Sequence, residues 1–258
     1  ADIEAAGDGG SLSIGACTLS SSVTVPAGFN LEGSSVGNDR IVLDEGVHLI
    51  IEPGSEEAPT VVSGLSVESA SSIAVVVQGE GHAELRDLSI ASSIGVGVAI
   101  EDASVTITDS SIQGEVTADN AGELYDLVDG EDAPWTLTST HGLVSVNADV
   151  SVTNSRVSGF AVNGVLVAGG SFEAVDSEIS DNMHRGVLLH AADVSFTTVS
   201  VLRTLKGNGA PEDTFSILAE AGTTFATETS IVDEGEGFAL LEDESAGTHV
   251  NTQLFNHQ

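Results

Sequence analysis

The amino-acid sequence predicts an all-β fold: a single-stranded right-handed parallel β-helix, a solenoid with coils of about 22 residues. Three observations carry this prediction. A short apolar-x-Asp/Asn-x-x-apolar pattern recurs at a fixed step, apolar columns keep register with it, and small residues sit at one constant offset. Repeats with periods in this range are the signature of solenoids, in which no single coil buries its own apolar face.

The pattern occurs as LRDLSI (85–90), ITDSSI (107–112), VTNSRV (152–157) and AVDSEI (174–179), then as FTTVSV (196–201) and ATETSI (226–231). Its marker residues are Asp87, Asp109, Asn154, Asp176, Thr198 and Glu228, at steps of 22, 45, 22, 22 and 30. Eleven residues before each marker stand Val76, Val98, Leu143, Val165, Val187 and Ile217. Two before it stand Leu85, Ile107, Val152, Ala174, Phe196 and Ala226; three after it stand Ile90, Ile112, Val157, Ile179, Val201 and Ile231. Alternation within these runs is the strand signal. It turns Val98, Val165 and Val187 inward and Ala99, Leu166 and Leu188 away from the core. The corner six before the marker holds Gly81, Ala103, Ala148, Gly170, Ala192 and Gly222.

The whole chain, 1–258, reads as one β-helix domain. Residues 1–45 form an N-terminal cap and the first coils. The long steps place an insertion or irregular coil at 116–138 and a short insertion at 206–213. Roughly ten coils at a strand spacing of about 4.8 Å would give a rod of about 48 Å. The sole helical pattern is short, near Glu123–Val128.

The opening AAGDGGSLSIGACTLSSSVTVPAGFNLEGSS (5–35) adds a resemblance. Its element Val23-Thr24-Val25-Pro26-Ala27-Gly28-Phe29-Asn30-Leu31-Glu32-Gly33, followed by Arg40-Ile41-Val42, resembles the first coils of pectin-lyase-like β-helix proteins. The resemblance implies an Ala-rich helical cap before the first coil. It leaves function open, because that fold carries lyases, hydrolases, epimerases, adhesins and inert spacers alike. The signatures it implies for an enzyme are incomplete. Gly81-His82-Ala83, Thr140-His141-Gly142 and Arg40-Ile41-Val42 only approach the Gly-His-Gly and Arg-Ile-Lys motifs of polygalacturonase-type hydrolases. The Asn-Thr-Asp and Asp-Asp motifs of those hydrolases and the Asp-Pro-His motif of alginate epimerases are missing.

Charge narrows the partners. Forty acidic residues against six basic ones give a formal net charge of −34, while 41% of the chain is hydrophobic. A real core inside an acidic surface repels phosphate backbones and anionic membranes, so neither nucleic acid nor membrane insertion is expected. The composition resembles that of proteins from salt-loving organisms. The lone Cys17 allows no internal disulfide and reads as a buried structural residue. The chain opens on Ala1, as a mature or excised fragment would, and a secreted or cell-surface location is expected.

Two constellations stand out as sites. Asp87 and Asp109 fall in adjacent coils, so their carboxylates would either sit at solvated turns bonding local backbone or recruit calcium. The turn is the preferred reading, and no cofactor is otherwise expected. The second constellation gathers scarce positive charge: Arg156, Arg185, Arg203 and Lys206 lie within 156–206, with His184 and His190 beside them and His141 level with Asn163 and Arg185. Trp135 and Tyr125 lie in the long insertion that enters near the same corner. Trp135, His141, His184, Arg185 and Arg203 are the candidate ligand-binding residues, a sugar stacking on the indole; alternatively these cations merely pair with surface carboxylates. The function expected is a non-catalytic extracellular or surface module, a spacer or scaffold that binds a polysaccharide or surface partner. The alternative is a polysaccharide-active lyase, hydrolase or epimerase.

Overall fold

The computed structural model describes residues 10–34, 36, 38–93, 95–116, 140–205, 215–233, 238–242, 245–250 and 252–255. It is a right-handed parallel β-solenoid with about 23 residues per turn. Every strand ladder within it is parallel, each strand pairing with its equivalents in the coils before and after. The ladder from Ser11–Ser13 to Ala246–Val250 stacks ten strands, and its nine steps at about 4.8 Å span about 43 Å. Val98 pairs directly with Leu143, and Arg185 with Phe215, so no further strand is laid between those coils. Residues 117–139 and 206–214, with the expected helix, Tyr125, Trp135 and Lys206, lie outside the described residues, as does the expected cap over 1–9.

Each coil makes three strands and three corners, and the corners explain the marker column. Asp87, Asp109, Asn154, Asp176, Thr198 and Thr229 all have φ between 49° and 56°. Asp and Asn tolerate this left-handed conformation better than other residues with a side chain beyond Cβ. The other corners do the same with Asp102, Asn147, Gly169 and Ala191, and with Gly159, Asp181 and Arg203. The residue after the marker completes the turn. Ser110, Ser155, Ser177 and Ser230 are buried. Each serine Oγ accepts from a backbone N–H of the coil before it and donates to the carbonyl two residues back in its own coil. Ser110 N, for example, donates to Ser155 Oγ at 3.0 Å. This ladder satisfies backbone groups that the turn removes from the sheets.

Inside, like residues stack. Val98, Leu143, Val165, Val187 and Ile217 form one register column, each no more than 1% exposed. Phe172, Phe196 and Phe225 pack edge to face, with centroids 6.2 and 5.3 Å apart. Ala99, Leu166 and Leu188 do turn away from this core. They join Val96, Val144, Phe215 and Leu218 in a second apolar cluster, itself buried.

Two register slips correct the expected columns. Val98 pairs with Val75, not Val76, because Gly79, Glu80 and Gly81 turn a corner that Asp102 and Ala103 turn in the next coil. Later, Leu189 pairs with Ala219 but Asp193 with Thr224, so the turn Glu220–Thr223 holds one residue more than His190–Ala192. The marker there is therefore Thr229 in place of Glu228. Thr227 and Val232 replace Ala226 and Ile231 in the core columns, and Thr223 replaces Gly222 at the corner. Cys17 is likewise corrected: it is exposed. Its strand Cys17–Leu19 pairs with Ile41–Leu43 alone, so it lies at the open end of the described stack.

Candidate functional site: an outward groove ending at His141

One column on the first sheet changes character along the rod. Ile73 pairs with Val96, then the equivalent positions are His141, Asn163 and Arg185, and the column returns to apolar at Phe215. Behind it stands a column of glycines, Gly97, Gly142, Gly164 and Gly186. A Cβ on Gly142 would come within 2.3 Å of Val157 Cγ1 and 2.5 Å of the Gly164 carbonyl oxygen, so only glycine allows this approach.

His141 is 1% exposed and Asn163 is fully buried. Asn163 Nδ2 donates to His141 Nδ1 at 3.1 Å, which makes Nδ1 the acceptor and leaves the ring proton on Nε2. That Nε2–H and Asn163 Oδ1 are buried with no hydrogen-bond partner among the described residues. Burial disfavours the imidazolium, and the positive charge of Arg185 adds to it. Together they lower the His141 pKa from 6.5 to about 4, so the ring is neutral at physiological pH.

His141 closes one end of a groove of about 540 Å³ on the outward face of this sheet. The floor is an in-register aliphatic row, Ile50, Val76, Ala99, Val144 and Leu166, each in the coil after the last. Four steps at about 4.8 Å make the trough about 19 Å long. His48 stands at the other end, its Nδ1 donating to the Ile73 carbonyl at 2.6 Å. Gln78 and Glu101 complete the polar rim.

Among the described residues, Arg203, His184, Asp87 and Asp109 lie outside the lining of this groove. Arg203 lies at a corner, where Nε and a terminal nitrogen each reach Asp181 at 2.6 Å. Arg156 reaches Glu178 at 3.4 Å and Asp181 at 3.2 Å, so two arginines and two carboxylates form one exposed network. The hydrogen bond from Arg203 holds the Asp181 carboxyl below its usual range. His184 has φ 53° at the turn into the strand Arg185–His190, and its carbonyl accepts from Phe215 N. Asp87 and Asp109 occupy equivalent corners beside a wider groove of about 790 Å³. Asp109 Oδ1 accepts from Asn154 Nδ2 at 2.5 Å. Among the described residues no three His, Cys, Asp or Glu side chains are grouped to hold a metal. The corner groove is larger, but the sheet groove holds a buried, unpartnered donor, and that makes it the stronger candidate.

A family model described as right handed beta helix region matches residues 46–202, more than half of the chain. The chain belongs to this β-helix family. The match covers the floor of the groove together with His48, His141 and Asn163. The ORF18 protein of Geobacillus virus E2 is similar in fold, with a TM-score of 0.53 and 10% identity, over 94% of this chain and 51% of that one. This β-helix thus spans about half the length of that protein. The A-module of the Azotobacter vinelandii mannuronan C-5 epimerase AlgE4 is also similar, with a TM-score of 0.53 and 12% identity over 97% of this chain and 88% of that one. At such identities the likeness is one of fold. No curated protein sequence matches the chain.

Sequence reasoning missed His48, Gln78 and Glu101 as site residues and noted Asn163 only as an aligned position. The signal for Asn163 was present: three polar residues interrupt a column that is otherwise apolar.

Proposed function

We propose that this β-helix is a non-catalytic scaffold module, secreted or displayed at the cell surface, that binds a glycan along the groove from His48 to His141. The observation that carries the reading is the pairing of a long aliphatic floor with a buried, unpartnered Nε2–H at its end. Sugar rings present C–H faces to an apolar floor and oxygens to a fixed donor. The cations that would otherwise attract an anionic partner are engaged elsewhere: Arg40 by Glu68, Arg86 by Glu84, and Arg156 and Arg203 by Glu178 and Asp181. A glycan array with the wild-type protein and an Ala99→Glu variant tests the reading. Binding that the variant loses supports it; no binding, or binding indifferent to the variant, refutes it.

One observation favours a second reading, a polysaccharide-active enzyme. His141 is neutral, buried and at the end of a groove, and its Nε2–H suits an electrophilic donor to a sugar oxygen that gains negative charge. The Azotobacter protein of similar fold is by name an epimerase of mannuronan. Release of reducing ends, unsaturated products or epimerised sugars from the glycans that bind, lost in His141→Gln, would establish that reading over the scaffold.

A further inference from the structure

We infer that the groove selects a neutral saccharide chain over one bearing carboxylates, and that the Nε2–H of His141 is the donor that holds a sugar oxygen at its end. This rests on the glycan-binding reading above and narrows it to a ligand class.

Among the described residues the groove lining contains no Lys or Arg. Among those residues the carboxylate is Glu101, on the rim, and the whole chain carries a formal net charge of −34. A uronate laid along the aliphatic floor would meet Glu101 and the surrounding negative field with no cation on the walls to offset either. Arg185 lies two coils beyond His141, outside the lining. It reinforces the neutral state of the imidazole, so that His141 offers an N–H without a full charge. A hydroxyl or ring oxygen satisfies such a donor. At the opposite end, the His48 ring is held by its Nδ1 donating to the Ile73 carbonyl. Polar groups at both ends of an apolar trough match an uncharged polyol chain.

The test is titration calorimetry with neutral hexose tetrasaccharides and uronate tetrasaccharides of the same linkage, against wild type, Glu101→Gln, His141→Gln and His141→Leu. Far-UV circular dichroism and melting temperature verify each fold. Neutral chains should bind about tenfold or more tightly than uronates at low salt. Glu101→Gln, at an exposed position, should narrow that gap by strengthening uronate binding. His141→Leu should weaken neutral binding by about tenfold, and His141→Gln, which keeps an N–H donor, should lose less. Uronates that bind as tightly as neutral chains, or more tightly, overturn the inference while glycan binding stands. Neutral binding unchanged in both His141 variants overturns the role given to that residue. No saccharide of either class bound overturns the inference together with the reading beneath it.

Discussion

Acidification should destabilise this β-helix through one buried ring. Folded His141 takes up a proton only near pH 4, whereas the same side chain in an unfolded chain does so near 6.5. Between these values the unfolded state binds more protons, so stability rises with pH through the window and falls as pH is lowered. The full shift corresponds to about 3 kcal/mol, of which about 2 kcal/mol is lost between pH 7 and pH 5. The other ionisable groups are removed from the comparison by a matched variant, His141→Gln, which cannot titrate at this position. Urea unfolding of both proteins at pH 7, 6 and 5, in salt high enough to screen the surface carboxylates, gives the difference in stability at each pH. The advantage of wild type over His141→Gln should shrink by about 2 kcal/mol from pH 7 to pH 5. An advantage that is constant or grows on acidification refutes the buried neutral imidazole, as does a His141 ring that titrates at or above pH 6 by NMR.

The serine ladder, the left-handed corners, the glycine column and the surface charge each yield a further expectation. Ser155→Ala removes the acceptor of Ser110 N and should cost about 1–3 kcal/mol in urea unfolding, against less than about 0.5 kcal/mol for the exposed Glu173→Ala. Asp109→Val should cost about 1–2 kcal/mol because a β-branched residue resists φ 52°, while Asp109→Gly should leave the melting temperature nearly unchanged. Gly142→Ala, forced against Val157 and the Gly164 carbonyl, should lower stability by more than about 3 kcal/mol or prevent soluble expression. The melting temperature should rise from low to molar NaCl, and calcium at the same ionic strength should add nothing if Asp87 and Asp109 act as turn residues.

Much of the fold was legible because the left-handed corners leave a mark in the sequence. Asp87, Asp109, Asn154 and Asp176 are chosen by backbone conformation, so they recur at the step of the coil whatever faces them. The slips at Gly79–Gly81 and Glu220–Thr223 were not legible. One extra residue in a corner shifts everything on one side of it, yet leaves the apolar alternation within each strand intact. The corner serines were visible letters, but their role depends on which coil each Oγ faces. The groove was the least legible part. His141 and Arg185 were singled out for their scarcity, while the aliphatic floor from Ile50 to Leu166 looks in sequence like ordinary strand residues. Only the register joins those five residues into one outward row, and only the structure reveals that His141 Nε2 has no partner among the described residues.

The most direct measurement is a crystal structure of the protein grown with the saccharide that binds best on the array, at a saturating concentration. Sugar density should run along the rod over Ile50, Val76, Ala99, Val144 and Leu166, with an oxygen within about 3.2 Å of His141 Nε2. Density along the corner groove of Asp109, Asn154 and Asp176, or an empty sheet groove in the presence of bound ligand elsewhere, would contradict this placement.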